Sequence, residues 1–389
     1  MIDLTTGVSR PQGFLAAGVP AGIRRSGKKD LALVVSQGPQ YTAAGVFTSN
    51  RFFAAPIGWS RQALSDGTAR AVVLNSGCAN ACTGPQGEAD AARMAEAVAA
   101  HLNCAAAEVA VASTGLIGSY LPMTQVETGI AAAVAALSPD GGTAAAEAIM
   151  TTDTVTKQAS LSSLAGWSIG GMAKGAGMLA PGLATMLVVL TTDADLTGLD
   201  AQELLAEACH LSFDRADSDG CMSTNDSVFL LANAASGVRP QPADFQQALT
   251  EVAVSLAKQL IADAEGAGHS VSVTVEAAAS ETDALEVARA VARSNLFKCA
   301  IAGNDPNWGR VLASVGTTAA AFDPAEVSVA FNGVTVFDHG QPGSDRSQVD
   351  LHGFDVSVAI DLAAGQASAT IWTNDLTHEY VSINADYSS

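Results

Sequence analysis

Positive charge is scarce in this sequence. Lysine and arginine together number 19 against 39 aspartates and glutamates, a net charge of -20 over 389 residues. That balance argues against nucleic acid or anionic membrane as a partner. It also means that a small anionic substrate needs a local cation, so individual lysines carry more weight than usual. No apolar run reaches the ~20 residues needed to span a bilayer. The opening "MIDLTTGVSRPQGF" lacks the basic-then-apolar layout of a signal peptide, and the expected location is cytoplasmic. The six cysteines, at 78, 82, 104, 209, 221 and 299, are expected to be reduced thiols. Cys78 and Cys82 form the one close pair, but no second pair or nearby histidine completes a zinc site, and packing is the favoured reading. The six histidines are scattered, and there is no internal repeat, low-complexity tract or obvious linker.

What is present is apolar sequence, 48% of the chain, enough for a large core in two domains or one large one. "DLALVVS" (30–36) and "ARAVVLNSG" (69–77) read as buried strands closing in turns, and "EVAVASTGLIG" (108–118) as a strand entering a Ser-Thr-Gly turn. "ATMLVVLTTDA" (184–194) and "VSVTVEA" (271–277) read as further strands, and "LSSLAGWSIGGMAKGAG" (161–177) as a hairpin interrupted by glycines. Helical spacing runs through 88–102, after a break at Gly84-Pro85, and through 200–213, 244–264 and 282–295. Strands and helices interleave with hairpin-like pairs, so the expected class is α/β or α+β with mixed sheets.

The segment "GGMAKGAG" (170–177) invites a nucleotide-binding reading. A phosphate loop needs lysine followed by Ser or Thr at the start of a helix. Here Gly175 follows Lys174 and strand-like sequence comes next, so that reading is rejected. A different chemistry starts at Thr185, which follows "MLAPGLA". A threonine hydroxyl is a poor nucleophile unless something takes its proton. Were the Ala184-Thr185 bond cut, Thr185 would carry a free α-amine with an unperturbed pKa near ~8, a base beside its own hydroxyl. The hydroxyl could make the cut by attacking the Ala184 carbonyl and forming an ester that water opens. Small flanking residues permit the close, strained approach this needs. Taken alone, a threonine ahead of an apolar run more often simply begins a strand.

The wider pattern resembles the ornithine acetyltransferases, or bifunctional glutamate/ornithine N-acetyltransferases, of arginine biosynthesis. The resemblance runs through "PQGFLAAGVPAGIRRSGKKDLAL" (11–33), "AVVLNSGCANACTG" (71–84), "ASTGLIG" (112–118), "AIMTTDT" (148–154) and "MAKGAGMLAPGLATML" (172–187). It continues in "STNDS" (223–227), "DAEGAG" (263–268), "DPNWGR" (305–310) and "EYVSINADYSS" (379–389). It implies a four-layer α/β/β/α sandwich with a smaller C-terminal α/β region, starting at about 280. It also implies self-cleavage between Ala184 and Thr185 into α (1–184) and β (185–389) chains, paired as a heterotetramer of two α and two β. Thr185 would be the acyl-accepting nucleophile, and Thr114 and Gly115 the oxyanion pair. Thr154, Lys174, Glu265, Asn384 and Ser389 would contact substrate, Glu265 suiting the ammonium of ornithine and Lys174 a carboxylate. No metal or organic cofactor is implied. The implied reaction moves acetyl from N-acetylornithine to glutamate through acetyl-Thr185, with acetyl-CoA a further candidate donor.

The chain departs from the family pattern in places. His269 stands where a cation is usual, Ala264 where glycine is, "GCMSTND" where "GDTSTND" is, and Cys78 where asparagine is common. These changes bear on substrate range. Two other functions share the same sequence features. An N-terminal-nucleophile hydrolase or aminopeptidase would pass the acyl group to water, and a metabolite-binding protein would never cleave. A relative acting in secondary metabolism is a further alternative.

Chain ends normally fray, so removing residues 384–389 should be silent unless "INADYSS" serves the site. The expected result is a loss of activity far larger than any change in melting temperature, with more acetate released per N-acetylglutamate formed. Unchanged partitioning and unchanged KM would make the tail a bystander.

Overall fold

The computed structural model describes residues 1–180 and 186–386. Ala184, Thr185 and Ser389 lie outside the described residues, as does the start of the strand expected from 184. The chain divides into two compact units. The first holds nearly all of the chain up to Leu260, and the second holds Leu179, Arg215–Gly220 and the chain from Ile261 onward.

The strands of the first unit are β1 (Phe14–Val19), β2 (Leu31–Ser36), β3 (Thr42–Phe47), β4 (Ala71–Asn75), β5 (Val109–Ser113), β6 (Lys157–Ser162), β7 (Ser168–Lys174), β8 (Leu187–Thr192) and β9 (Ser227–Ala232). Its helices are α1 (Ala55–Ala63), α2 (Gly84–Leu102), α3 (Met123–Ala135), α4 (Gly142–Ile149), α5 (Ala201–His210) and the body of α6 (Pro242–Ala262). One sheet runs β1-β2-β4-β5 and the other β3-β9-β8-β7-β6. Pairing is parallel at β4–β5 and β8–β9 and antiparallel elsewhere in both sheets.

Alternation along the strands explains the layers, because successive side chains point to opposite faces. In β2, Ala32 and Val34 share a core with Met172, Leu187, Val189 and Phe229 of the other sheet. Leu31, Leu33 and Val35 instead meet Met94 and Val98 of α2 and Val126 and Ile130 of α3. On the far side, Trp167 packs on Phe245 of α6, and Gln202 of α5 hydrogen-bonds both backbone groups of Gly45 in β3. The result is a four-layer α/β/β/α sandwich in which each fully buried Val or Leu contributes about 1.5–3 kcal/mol. α4 is wedged into the inner core, with Ala145, Ala146, Ala148 and Ile149 all buried there.

The expected strands and helices are present, with one correction. Gly84-Pro85 does not break the chain ahead of α2. It is the first turn of that helix, where proline's missing N–H costs nothing.

The second unit is a six-stranded sheet of β10 (Ser270–Ala278), β11 (Ser328–Phe331), β12 (Val334–Asp338), β13 (Gln341–Pro342), β14 (Asp355–Asp361) and β15 (Ala367–Asn374), ordered β13-β12-β11-β14-β10-β15. Helices α7 (Glu281–Ala292), α8 (Asn295–Ala302) and α9 (Trp308–Val315) contribute Val287, Val291, Ile301 and Val311 to a core with Val271, Val273 and Val275 of β10. The last helix, α10 (His378–Ala385), buries no residue. Among the described residues no helix is long and apolar enough to cross a membrane.

The backbones of β1 and α4 touch at Gly18, where an added Cβ would lie 1.8 Å from the Ala144 carbonyl oxygen. Gly18→Ala must push α4 away and should cost about 1–3 kcal/mol, read as a fall in melting temperature. Gly58→Ala is the matching control. A Cβ there meets nothing nearer than 3.8 Å, and an α1 alanine in place of glycine should be neutral or stabilising.

Candidate active site

β5 ends in the turn that carries Thr114 and Gly115. Gly115 has φ +130, and a Cβ on it would lie 2.4 Å from the Gly77 carbonyl carbon. Glycine is therefore the residue that fits this close crossing of two loops. The Thr114 N–H donates to Asn75 O at 3.0 Å. With that amide bonded, the hydroxyl is the group Thr114 has available.

Lys174 proves to be the last residue of β7, not a solvated loop lysine. It is 1% exposed, and its Nζ donates to Thr114 Oγ1 at 3.2 Å. An ammonium can only donate, so this bond uses an oxygen lone pair and leaves the Thr114 hydroxyl hydrogen to point elsewhere. A buried ammonium needs compensating charge. Asp153, which the sequence reading passed over between Thr152 and Thr154, provides it. Its Oδ1 accepts from Lys157 Nζ at 2.6 Å and from the Gly175 N–H at 2.7 Å. Burial pushes the Asp153 carboxyl up, but Lys174, Lys157 and the Thr151 N–H outweigh burial and hold it well below the usual range. Thr154, one residue on, is exposed. A cavity of about 290 Å³ opens beside Asp153 and is also lined by Arg24, Lys28 and Thr151.

Asp226, within "STNDS" (223–227), is a second such carboxyl. It is fully buried, and its Oδ1 accepts the Met186 N–H at 3.0 Å. Burial drives its carboxyl well above the usual range, with the Met186 N–H and Lys174 opposing only in part. No spacing rule marks either aspartate; each matters because the fold buries it near a lysine distant in sequence. Cys78 is buried, with Sγ donating to Ser119 O, and Cys82 is exposed. Among the described residues no cluster could hold a metal ion.

In the second unit, Glu265 and Asn384 meet. Asn384 Nδ2 donates to Glu265 Oε2 at 2.9 Å, and Glu265 is buried, although a post-helix carboxylate would ordinarily be exposed. The loop bearing Glu265 is tied down by Thr377 Oγ1 donating to Gly266 O at 2.6 Å and by Asp375. Asp375 accepts from the Gly268 and His269 amides and pairs with His269 Nδ1 at 2.8 Å. Lys298, unremarked in the sequence, is buried beside these groups. Burial lowers it to about 8 against the pull of Asp217, Asp219 and Asp375.

Residues 15–389 match the ArgJ family. The arginine biosynthesis bifunctional protein ArgJ of Streptomyces avermitilis is 58% identical over 98% of this chain and 100% of its own length. The chain belongs to the ArgJ family. It is an acetyltransferase of arginine biosynthesis. The ArgJ protein of Thermobifida fusca is 56% identical over the same shares. An ornithine acetyltransferase from Mycobacterium tuberculosis, solved in complex with ornithine, is 53% identical over 48% of this chain and 99% of that one, with a TM-score of 0.46.

For this ArgJ chain, Lys174→Met keeps the bulk and removes the charge. Asp153 retains Lys157, so the melting temperature should fall by only a few degrees. Acetyl transfer should drop about tenfold or more, with processing checked first by intact mass. Wild-type kcat and KM would take Lys174 off the site.

Proposed function

We propose that this chain transfers acetyl from N-acetylornithine to glutamate by a ping-pong route through acetyl-Thr185. Self-cleavage at Ala184-Thr185 would first free the α-amine that serves as base. The hydroxyl then attacks the acetyl carbonyl, the amine takes its proton, and ornithine departs with that proton. Glutamate's amine attacks the resulting ester, giving N-acetylglutamate and the free threonine.

The observation that carries this reading is the Lys174–Thr114 hydrogen bond. Lys174 donates to one lone pair of the Thr114 hydroxyl and leaves its O–H available as a donor. Together with the Gly115 N–H, that hydroxyl suits an oxyanion, where one such donor is worth ~10²–10³ in rate. The buried cation behind it adds to the field that stabilises developing negative charge. Thr154 and Lys174 are proposed to take the substrate's polar groups, and Glu265, Asn384 and Ser389 to take the amino-acid end, Glu265 receiving the ornithine ammonium. The relatives' names call them bifunctional, which supports acetyl-CoA as a second acetyl donor to glutamate. A heterotetramer of two α and two β chains is part of the same reading.

Two assays separate the parts. Enzyme with N-acetylornithine and glutamate should form N-acetylglutamate, and a separate incubation with acetyl-CoA and glutamate tests the second donor. Intact-mass spectrometry should find chains 1–184 and 185–389 and an acetyl adduct confined to the latter. Thr185→Ala should abolish cleavage and transfer together. An enzyme that is active while full length would sink the mechanism.

A further inference from the structure

The chain's scarce positive charge is not spread evenly. Four of its 19 cations, Arg24, Arg25, Lys28 and Lys29, fall within six positions of one loop in the first unit. Like charges gathered this closely repel one another unless an anion joins them. The loop's shape is fixed from beneath. Asp30 is fully buried, and its side-chain oxygens accept the Ala21 N–H at 2.6 Å and the Arg24 N–H at 2.8 Å. The Gly27 N–H turns back to Arg24 O at 3.4 Å, with Gly27 at φ +70 and open space where a Cβ would stand. Arg24 lies inward. Its guanidinium donates to Met150 O at 2.9 Å and to Thr151 O at 3.4 Å. Its stem lies against Gly77, the residue that the Gly115 turn crosses. Lys29 pairs with Glu147. Arg25 and Lys28 are exposed, and among the described residues neither side chain has a hydrogen-bond or ion-pair partner. Arg24, Lys28 and Lys29 line the cavity of about 290 Å³ that reaches Asp153, and its two carboxyls, Glu147 and Asp153, are already engaged by Lys29 and Lys157.

We propose that this loop is the binding site for the phosphates of an acyl-CoA donor, with Arg25 and Lys28 taking phosphate oxygens and the cavity taking the pantetheine arm that carries the thioester. The inference rests on the reading of acetyl-CoA as a second donor. N-acetylornithine and glutamate carry no phosphate and make no use of such a loop. Acetyl-CoA carries a diphosphate and a further phosphate group, and a chain of net charge -20 repels a polyanion unless positive charge is concentrated where it lands. Phosphate oxygens accept charge-assisted hydrogen bonds from both unpaired side chains. An arm lying in the cavity runs beside Asp153, the carboxyl that Lys174 and Lys157 hold low, and so on the side of the Lys174–Thr114 pair.

Arg25→Gln combined with Lys28→Gln removes two exposed charges and no buried packing, so the melting temperature should hold. With glutamate as acceptor, KM for acetyl-CoA should rise about tenfold. Both kcat and KM for N-acetylornithine should stay within about twofold of wild type. Acetyl-pantetheine, which has no phosphate, should show the same KM with either enzyme. Added salt should raise the wild-type KM for acetyl-CoA and move the variant's far less, because exposed charges are screened. Calorimetry with CoA reads the site without turnover, and binding should weaken in the variant by the same factor. An unchanged KM for acetyl-CoA, an equal rise in KM for N-acetylornithine, no CoA binding to the wild type, or inorganic phosphate binding as tightly as CoA would each overturn the proposal. A wild-type enzyme that forms no N-acetylglutamate from acetyl-CoA would instead fail the second-donor reading, and CoA binding that depends on Arg25 and Lys28 would still support the site.

Discussion

The first unit's site is organised by one interaction, the burial of the Lys174 ammonium inside an acidic protein. A cation with 1% exposure can exist there only if charge is arranged around it. Asp153 takes that part, its carboxyl held well below the usual range by Lys174 and Lys157, whereas burial pushes the Asp226 carboxyl well above it. Their surroundings thus shift two aspartates in opposite directions while both feel the same lysine. The Thr114 hydroxyl oxygen accepts from the same ammonium. Remove the charge and the turn at Gly115 would keep its shape, but the Thr114 hydroxyl would lose its buried partner.

The two sheets supply the precision. Lys174 ends β7, Thr114 follows β5, and Asp226 precedes β9, so each polar group sits at the end of a strand that is buried on both faces. Between their ends these three strands carry only apolar residues and glycine. Their polar residues stand at the ends, and the ends of both sheets are tied together by Asn225 bridging to Ala79 and Ser113.

Much of this was legible in the sequence because the signals are local. Strands such as β2 and β4 are continuous apolar runs, β10 alternates, and helices such as α7 carry an apolar stripe. Thr114, Gly115, Lys174, Glu265 and Asn384 were marked by resemblance to a family pattern. The sequence reading erred where a residue's meaning depends on burial or on a distant partner. The glycines around Lys174 gave no sign of its burial, yet pairing with β8 makes its position a buried strand end. Pro85 looked like a breaker, but a helix start accepts it. Asp153 and Asp226 gave no sign at all, since their partners Lys174 and Met186 lie 21 and 40 positions away in the numbering of the chain.

The order β3-β9-β8-β7-β6 has a further meaning for the proposed cut ahead of β8. β3, β7 and β6 come before that point in the chain, and β8 and β9 after it. The two fragments would therefore be woven through one sheet, with the leading strand of the second bonded to β7 of the first. No clean surface exists along which they could part. Separation would mean tearing a hydrogen-bonded ladder from the middle of the core, so the pair should stay together as though uncut. Once unfolded, though, the fragments would have to find each other by collision, and the order of synthesis that first laid the strands side by side would be lost. Thermal unfolding of the processed protein would then run one way, and its durability would be a matter of rate rather than equilibrium.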